Sequence, residues 1–200
     1  RNVEALRRGE CMPAEQWNVI VSIATLVVLL TAALAALVQL RHIRASNELS
    51  TFSQALDLWS SPGVQQGLQF IQHDLATKMK DPAFRGELDT PGPVDHSRHP
   101  ELNVLDYFDN VAIYLILGNM REDMIMQAAG QLVCSLWQTL SPTIAIMRRQ
   151  RGPQMYVSFE YLVARAQIWH KRYPNGYLPT GFQRLPNTDM WLSADTTPPA

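Results

Sequence analysis

Hydrophobic positions in this chain fall first into one unbroken run and then into periodic stripes. Val19 to Val38 contains no charged residue. As a helix rising about 1.5 Å per residue it covers ~30 Å, the thickness of a hydrocarbon core, and predicts one membrane span. Ser22, Thr25 and Thr31 fit inside such a helix because a hydroxyl can bond to a carbonyl one turn earlier. A buried helix of a soluble core is the plainer alternative, but core helices seldom run this far without a polar stripe. A secretory signal is the other rival. The run is about twice as long as a signal core, and Gln39-Leu40-Arg41-His42 follow it where a small-x-small cleavage site would stand. The Ala32 to Ala36 cluster is the nearest approach to one. An uncleaved anchor is expected.

Beyond the run the period is helical. Leu40, Ile43, Leu49, Phe52, Leu56 and Trp59 share a drifting face with no glycine or proline among them, so anchor and first domain helix read as one rod of about forty residues, ~60 Å long. The stripe suits a short parallel coiled coil or packing onto the chain's own helices. The second is expected, because a coiled coil needs more heptads. Ser60-Ser61-Pro62 starts another helix, with Val64, Leu68, Ile71, Leu75 and Met79 on one face and Asp81-Pro82 as its end. Residues 81–100 carry four prolines and read as a loop.

Glu101 to Leu117 begins amphipathic and becomes apolar on all sides, as a central bundle helix does, and Gly118-Asn119 stops it. The uncharged part after Asp109 is too short for a second span. Met124 to Met147 is also free of charge, yet Gln127, Gln131, Ser135 and Gln138 line one side of it, which predicts an amphipathic helix with a polar outer stripe. Ser141-Pro142 should kink or end it. A last helix, Tyr156 to Tyr173, packs through Phe159, Leu162, Ala166 and Trp169.

The expected fold is therefore all-α: a short N-terminal segment (1–18), a transmembrane helix (19–38), a helical bundle (39–173, with the loop 81–100), and an irregular tail (174–200) containing proline and glycine. That tail holds Tyr177, Phe182 and Trp191, and aromatics are uncommon in segments that stay unfolded.

Charge and cysteine change the picture little. Lys+Arg 17 against Asp+Glu 18 gives a net charge of −1, so nothing favours a nucleic-acid partner. Cys11 and Cys134 lie on opposite sides of the span and cannot pair within the chain. Arg1, Arg7 and Arg8 precede the span and Arg41 and Arg44 follow it, nearly a tie by positive-inside counting. With no disulfide framework, the expected topology has the N-terminus outside and the domain in the cytoplasm.

No constellation of catalytic, cofactor or metal-binding residues emerges. His96 and His99 beside Asp95 lack further ligands at metal spacing and read as solvated loop histidines. His42, His73 and His170 are scattered on helix surfaces. Asp106 and Asp109 share a helix face without a nucleophile or glycine-rich loop, which suits solvation or capping better than acid–base work. Arg148, Arg149 and Arg151 complement a helix C-terminus; the functional alternative is contact with lipid phosphates or a nucleotide. Arg148 and Glu160 are expected to form a structural ion pair across a short turn. Partner contacts are expected at Gln127, Gln131, Ser135 and Gln138, whose face desolvates at low cost, and at Tyr177, Phe182 and Trp191.

The segment LDYFDNVA at Leu105 to Ala112, then Gly118, Gly130, Trp137, Leu140, Pro142 and Arg148, then FEYL at Phe159 to Leu162, resembles an uncharacterised bacterial family of small single-span membrane proteins with a helical domain of unknown function. The resemblance covers roughly Val19 to Trp169. It implies an N-terminal anchor and an all-helical domain, and no activity. The expected function is a non-catalytic membrane-anchored interaction module, an accessory subunit contacting the lipid bilayer and other membrane subunits or a copy of itself. The alternative is a membrane-tethered ligand sensor or enzyme with a pocket inside the bundle.

Overall fold

The structure, a computed structural model, describes residues 14–191. Arg1, Arg7, Arg8, Cys11, most of the 1–18 segment and the tail beyond Trp191 lie outside the described residues. The first helix, α1 (Ala14–Trp59), is the rod the pattern predicts, starting one turn earlier; its 46 residues extend about 70 Å. Its apolar window is long enough to cross a membrane and none of it is buried. Thr25 and Thr31 bond back to the Val21 and Val27 carbonyls at 2.8 and 3.0 Å, hiding their hydroxyls.

Only the last two turns of α1 join the domain. Ala55 is buried, Phe52 and Trp59 flank it, and the Tyr107 hydroxyl donates to the Ala55 carbonyl at 3.1 Å. Of the stripe expected to pack on the chain's own helices, Leu40, Ile43, Leu49 and Leu56 stay exposed. The neighbouring helix meets α1 only near its end, so a long stripe has nothing to pack on.

Next come α2 (Pro62–His73), α3 (Leu75–Lys78) and α4 (Pro82–Leu88). Pro62 takes the first helical position as expected, but the Ser61 side chain makes no cap. Two expectations fail here. The second helix breaks at Asp74, a turn residue that separates α2 from α3. The loop expected over 81–100 contains α4: Asp81 accepts the Ala83 amide at 2.9 Å and Pro82 follows, so Asp81-Pro82 ends one helix and starts another. Phe84 and Leu88 bury the apolar side of this short helix.

Helix α5 (Glu101–Ile116) is central over its first three turns, where Leu102, Val104, Leu105, Phe108, Val111 and Ala112 are buried. Its apolar end is not: Ile113, Ile116 and Leu117 are exposed, against the expectation of burial on all sides. Gly118 (φ 70°) turns the chain, and the Asn119 and Gly118 amides close on the Tyr114 and Leu115 carbonyls, the two bonds of a Schellman stop. Helix α6 (Glu122–Arg151) continues past Ser141-Pro142, which does not end it. The amide that Pro142 lacks would have met the Gln138 carbonyl on the exposed side, where water can serve it, while Leu140, Ile144 and Met147 hold the opposite face. Helix α7 (Val157–Arg172) packs back along α6 and α5, burying Phe159, Leu162, Val163 and Ala166.

Candidate functional site

Two features expected separately meet on one surface. Gln127, Gln131 and Ser135 of α6 line an open hollow of about 820 Å³, closed on the other side by Trp169, His170, Tyr173 and Tyr177. Gly130 lets α7 come close: a Cβ there would lie 3.2 Å from His170 Cε1. His170 Nδ1 donates to the Ala166 carbonyl at 2.7 Å, which leaves the neutral ring's Nε2 as an acceptor. The three rings form one cluster, with Trp169 centred 4.6 Å from Tyr173 and Tyr173 5.2 Å from Tyr177. This is an aromatic wall facing uncharged hydrogen-bonding groups, and among the described residues no carboxylate lines it. It suits a contact that loses water cheaply. Gln138 lies farther along the same exposed stripe; Phe182 and Trp191 are exposed outside the hollow.

The end of the domain that carries this hollow is also the end nearest the apolar run. The Arg121 pKa is raised first by its hydrogen bond to Asp123, with Glu48 of α1 and Tyr177 adding through-space contributions. Farther from the run, Phe52, Leu56 and Trp59 of α1 line a crevice with Ile125, Ala128 and Leu132 of α6. The first turns of α6 thus lie against the end of α1, and the helix leads on from there.

That direction carries Arg148, Arg149 and Arg151 to the opposite end, and all three are engaged. Arg148 pairs with Glu160 at 2.7 Å and donates to the Met155 carbonyl at 2.9 Å. Arg149 meets Asp89 at 3.5 Å. Arg151 donates to the Thr90 and Gly92 carbonyls at 3.1 and 2.5 Å. The trio thus contacts the segment after α4 and the start of α7.

His99 overturns another expectation. It is fully buried, with Nδ1 2.9 Å from Glu101 Oε1 and Nε2 3.2 Å from Glu87 Oε2, under the Phe84 ring at 4.1 Å. Burial raises the Glu101 pKa, against the lowering effect of its bond to His99, and Glu101 Oε2 has no partner. The trio fastens α4 to the start of α5. It could not be read without α4, which supplies Phe84 and Glu87. His96 stays exposed, 2.9 Å from Asn103 Oδ1. Among the described residues no three His, Cys, Asp or Glu side chains are placed to hold a metal ion.

Asp106 and Asp109 serve α7. The Tyr156 hydroxyl donates to Asp106 at 2.8 Å, and burial followed by the Asp106 charge pushes that phenol far above its ordinary pKa. Asp109 accepts the Phe159 amide. Burial likewise raises the Cys134 thiol, which disfavours the reactive thiolate. Other hollows of the domain measure about 190 Å³ beside Asn103, Asp106 and Asn110, about 380 Å³ beside Phe84, Glu87 and Arg98, and about 130 Å³ beneath α1. The first and the last fall short of the ~300 Å³ at which ligand pockets usually begin, and the second exceeds it.

Comparison with curated proteins and with solved structures gives no match. A family model described as a domain of unknown function, DUF4760, matches residues 26–166, from inside the apolar run to the middle of α7, and on that match the chain belongs to the DUF4760 family.

Proposed function

We propose that the protein is a non-catalytic, membrane-anchored interaction module, an accessory subunit held against other membrane proteins or a second copy of itself. The observation that carries this reading is the hollow, where Gln127, Gln131 and Ser135 face Trp169, Tyr173 and Tyr177. Aromatic rings anchor interfaces, and uncharged amides can be desolvated beside them at modest cost. Helix α1 serves as a single span in a bacterial inner membrane, with the domain in the cytoplasm next to Arg41 and Arg44. Protease added to intact spheroplasts should then spare the domain.

The test is the native mass of the full chain extracted in mild detergent from its own membrane. The wild type should migrate as a complex, and Gln131→Glu, which puts a charge in the hollow, should shift it toward the monomer with helicity unchanged. A monomeric wild type would overturn the proposal.

A further inference from the structure

The domain end that meets α1 exposes apolar side chains from two separate elements, beside the Arg121–Asp123 ion pair. Ile116 and Leu117 stand exposed at the stop of α5, beside the start of α6. The tail leaves from Tyr177 at the same end and exposes Leu178, Phe182, Leu185, Met190 and Trp191, of which Leu185 is 85% accessible and Trp191 67%. The tail keeps close to its origin: the Phe182 amide bonds to the Pro179 carbonyl, and the Arg184 guanidinium lies 3.4 Å from the Cβ position of Gly176. A chain surrounded only by water has no reason to display five large apolar side chains within fourteen residues.

We propose that this end rests on the lipid surface, with Leu117 and the tail residues Leu185, Met190 and Trp191 entering the headgroup boundary as a second, interfacial attachment beside the span. The inference rests on the reading of α1 as a membrane helix. Distances permit it. Glu48 lies ten residues beyond Val38, ~15 Å along an upright helix, and the headgroup layer takes up ~5–7 Å of that. The seven residues from Leu185 to Trp191 reach ~23 Å when extended. Tryptophan, leucine and methionine suit the boundary, where an apolar body is buried and the indole N–H keeps a polar partner. Lipid fits better than a protein groove for this segment, because its described residues form neither helix nor strand that would present a regular face, and a fluid boundary requires none.

The test places an environment-sensitive fluorophore at Met190→Cys, and separately at Leu117→Cys, in the full chain carrying Cys11→Ser and Cys134→Ala. The protein is reconstituted alone into phosphatidylcholine–phosphatidylglycerol vesicles, with Gln150→Cys, at the far end of α6, as the control. Labels at 190 and 117 should shift to the blue and lose most of their emission to lipids carrying a quencher near the headgroup, while the label at 150 does neither. Labels that stay water-exposed overturn the inference. Labels exposed in these vesicles but shielded in native membranes also overturn it, since a protein then covers the tail, and they leave the accessory-subunit reading standing. Removal of the chain from vesicles by alkaline carbonate would overturn the span itself and this inference with it.

Discussion

Asp109 Oδ1 accepts the backbone N–H of Phe159 at 2.8 Å, so the first turn of α7 is capped by a side chain of α5. Helix α7 needs this help. The residue before it, Tyr156, is in the left-handed region (φ 55°) and makes no side-chain cap, because its hydroxyl is turned to Asp106. One face of α5 thus fixes both the entry angle of α7 and one of its free amides. Asp109→Ala should lower stability by about 1–2 kcal/mol, the usual cost of a lost N-terminal cap, and Asp109→Asn by much less. Chemical unfolding followed by tryptophan fluorescence reads both; equal losses would mean the carboxylate acts through charge and not as an acceptor.

Arg148 and Glu160 meet at 2.7 Å, but Glu160 is half exposed, so the pair sits in a well-screened site. Glu160→Gln should therefore cost only ~0.2–1 kcal/mol, not the ~3 kcal/mol of a stranded buried charge. Arg148→Ala should cost more, because it also frees the Met155 carbonyl. A double-mutant cycle measures the pair directly, and a coupling above ~1 kcal/mol would contradict this account.

The parts legible in the sequence are those that repeat. The charge-free run, the polar stripe from Gln127 to Gln138 and the α7 face through Phe159 and Leu162 each have several turns over which a period is visible. What stayed hidden depends on one residue or on distant partners. Helix α4 is only seven residues long and lies among prolines, so no period could mark it. Without it, His99 had no reason to be buried. Pro142 read as a kink or an end because a proline is weighed locally, whereas the helix continues past it with Leu140, Ile144 and Met147 buried on one face. The hollow needed α7 folded back on α6 before Tyr177 could meet Gln131.

Gly67 is a second case that periodicity misses. It is buried on α2 where Leu68, expected to be a core position, is only half-buried. A Cβ at residue 67 would stand 2.4 Å from the Pro100 carbonyl oxygen and 2.8 Å from Val104 Cγ2, so α2 and α5 touch through the missing side chain. Gly67→Ala should therefore destabilise by ~1–3 kcal/mol or more, despite the better helix propensity of alanine. Gly86, in α4, has open space around its Cβ position, and Gly86→Ala should stabilise by about 0.5–1 kcal/mol. Opposite signs in thermal unfolding are the expected result; the same sign for both would remove close approach as the explanation.

The buried Glu101 makes stability depend on pH in a definite direction. Its surroundings are His99 on one oxygen, Glu87 and Arg98 beyond the imidazole, and, among the described residues, no hydrogen-bond partner on the other oxygen. Burial is the largest influence, and it raises the folded-state pKa above the ordinary glutamate value. A carboxyl whose pKa is raised on folding binds its proton more tightly in the native state. Its contribution is therefore most favourable below the unfolded pKa and declines as pH rises through the folded one. Glu101→Gln does not titrate there and can still accept a hydrogen bond from His99. The variant should gain stability relative to the wild type as pH rises from about 4 to 8, with the gap widening through the folded pKa of Glu101. Parallel melting curves across that range provide the measurement. A gap that stays constant, or that favours the wild type at the alkaline end, would mean that the bond from His99 outweighs burial in setting the affinity of Glu101 for its proton.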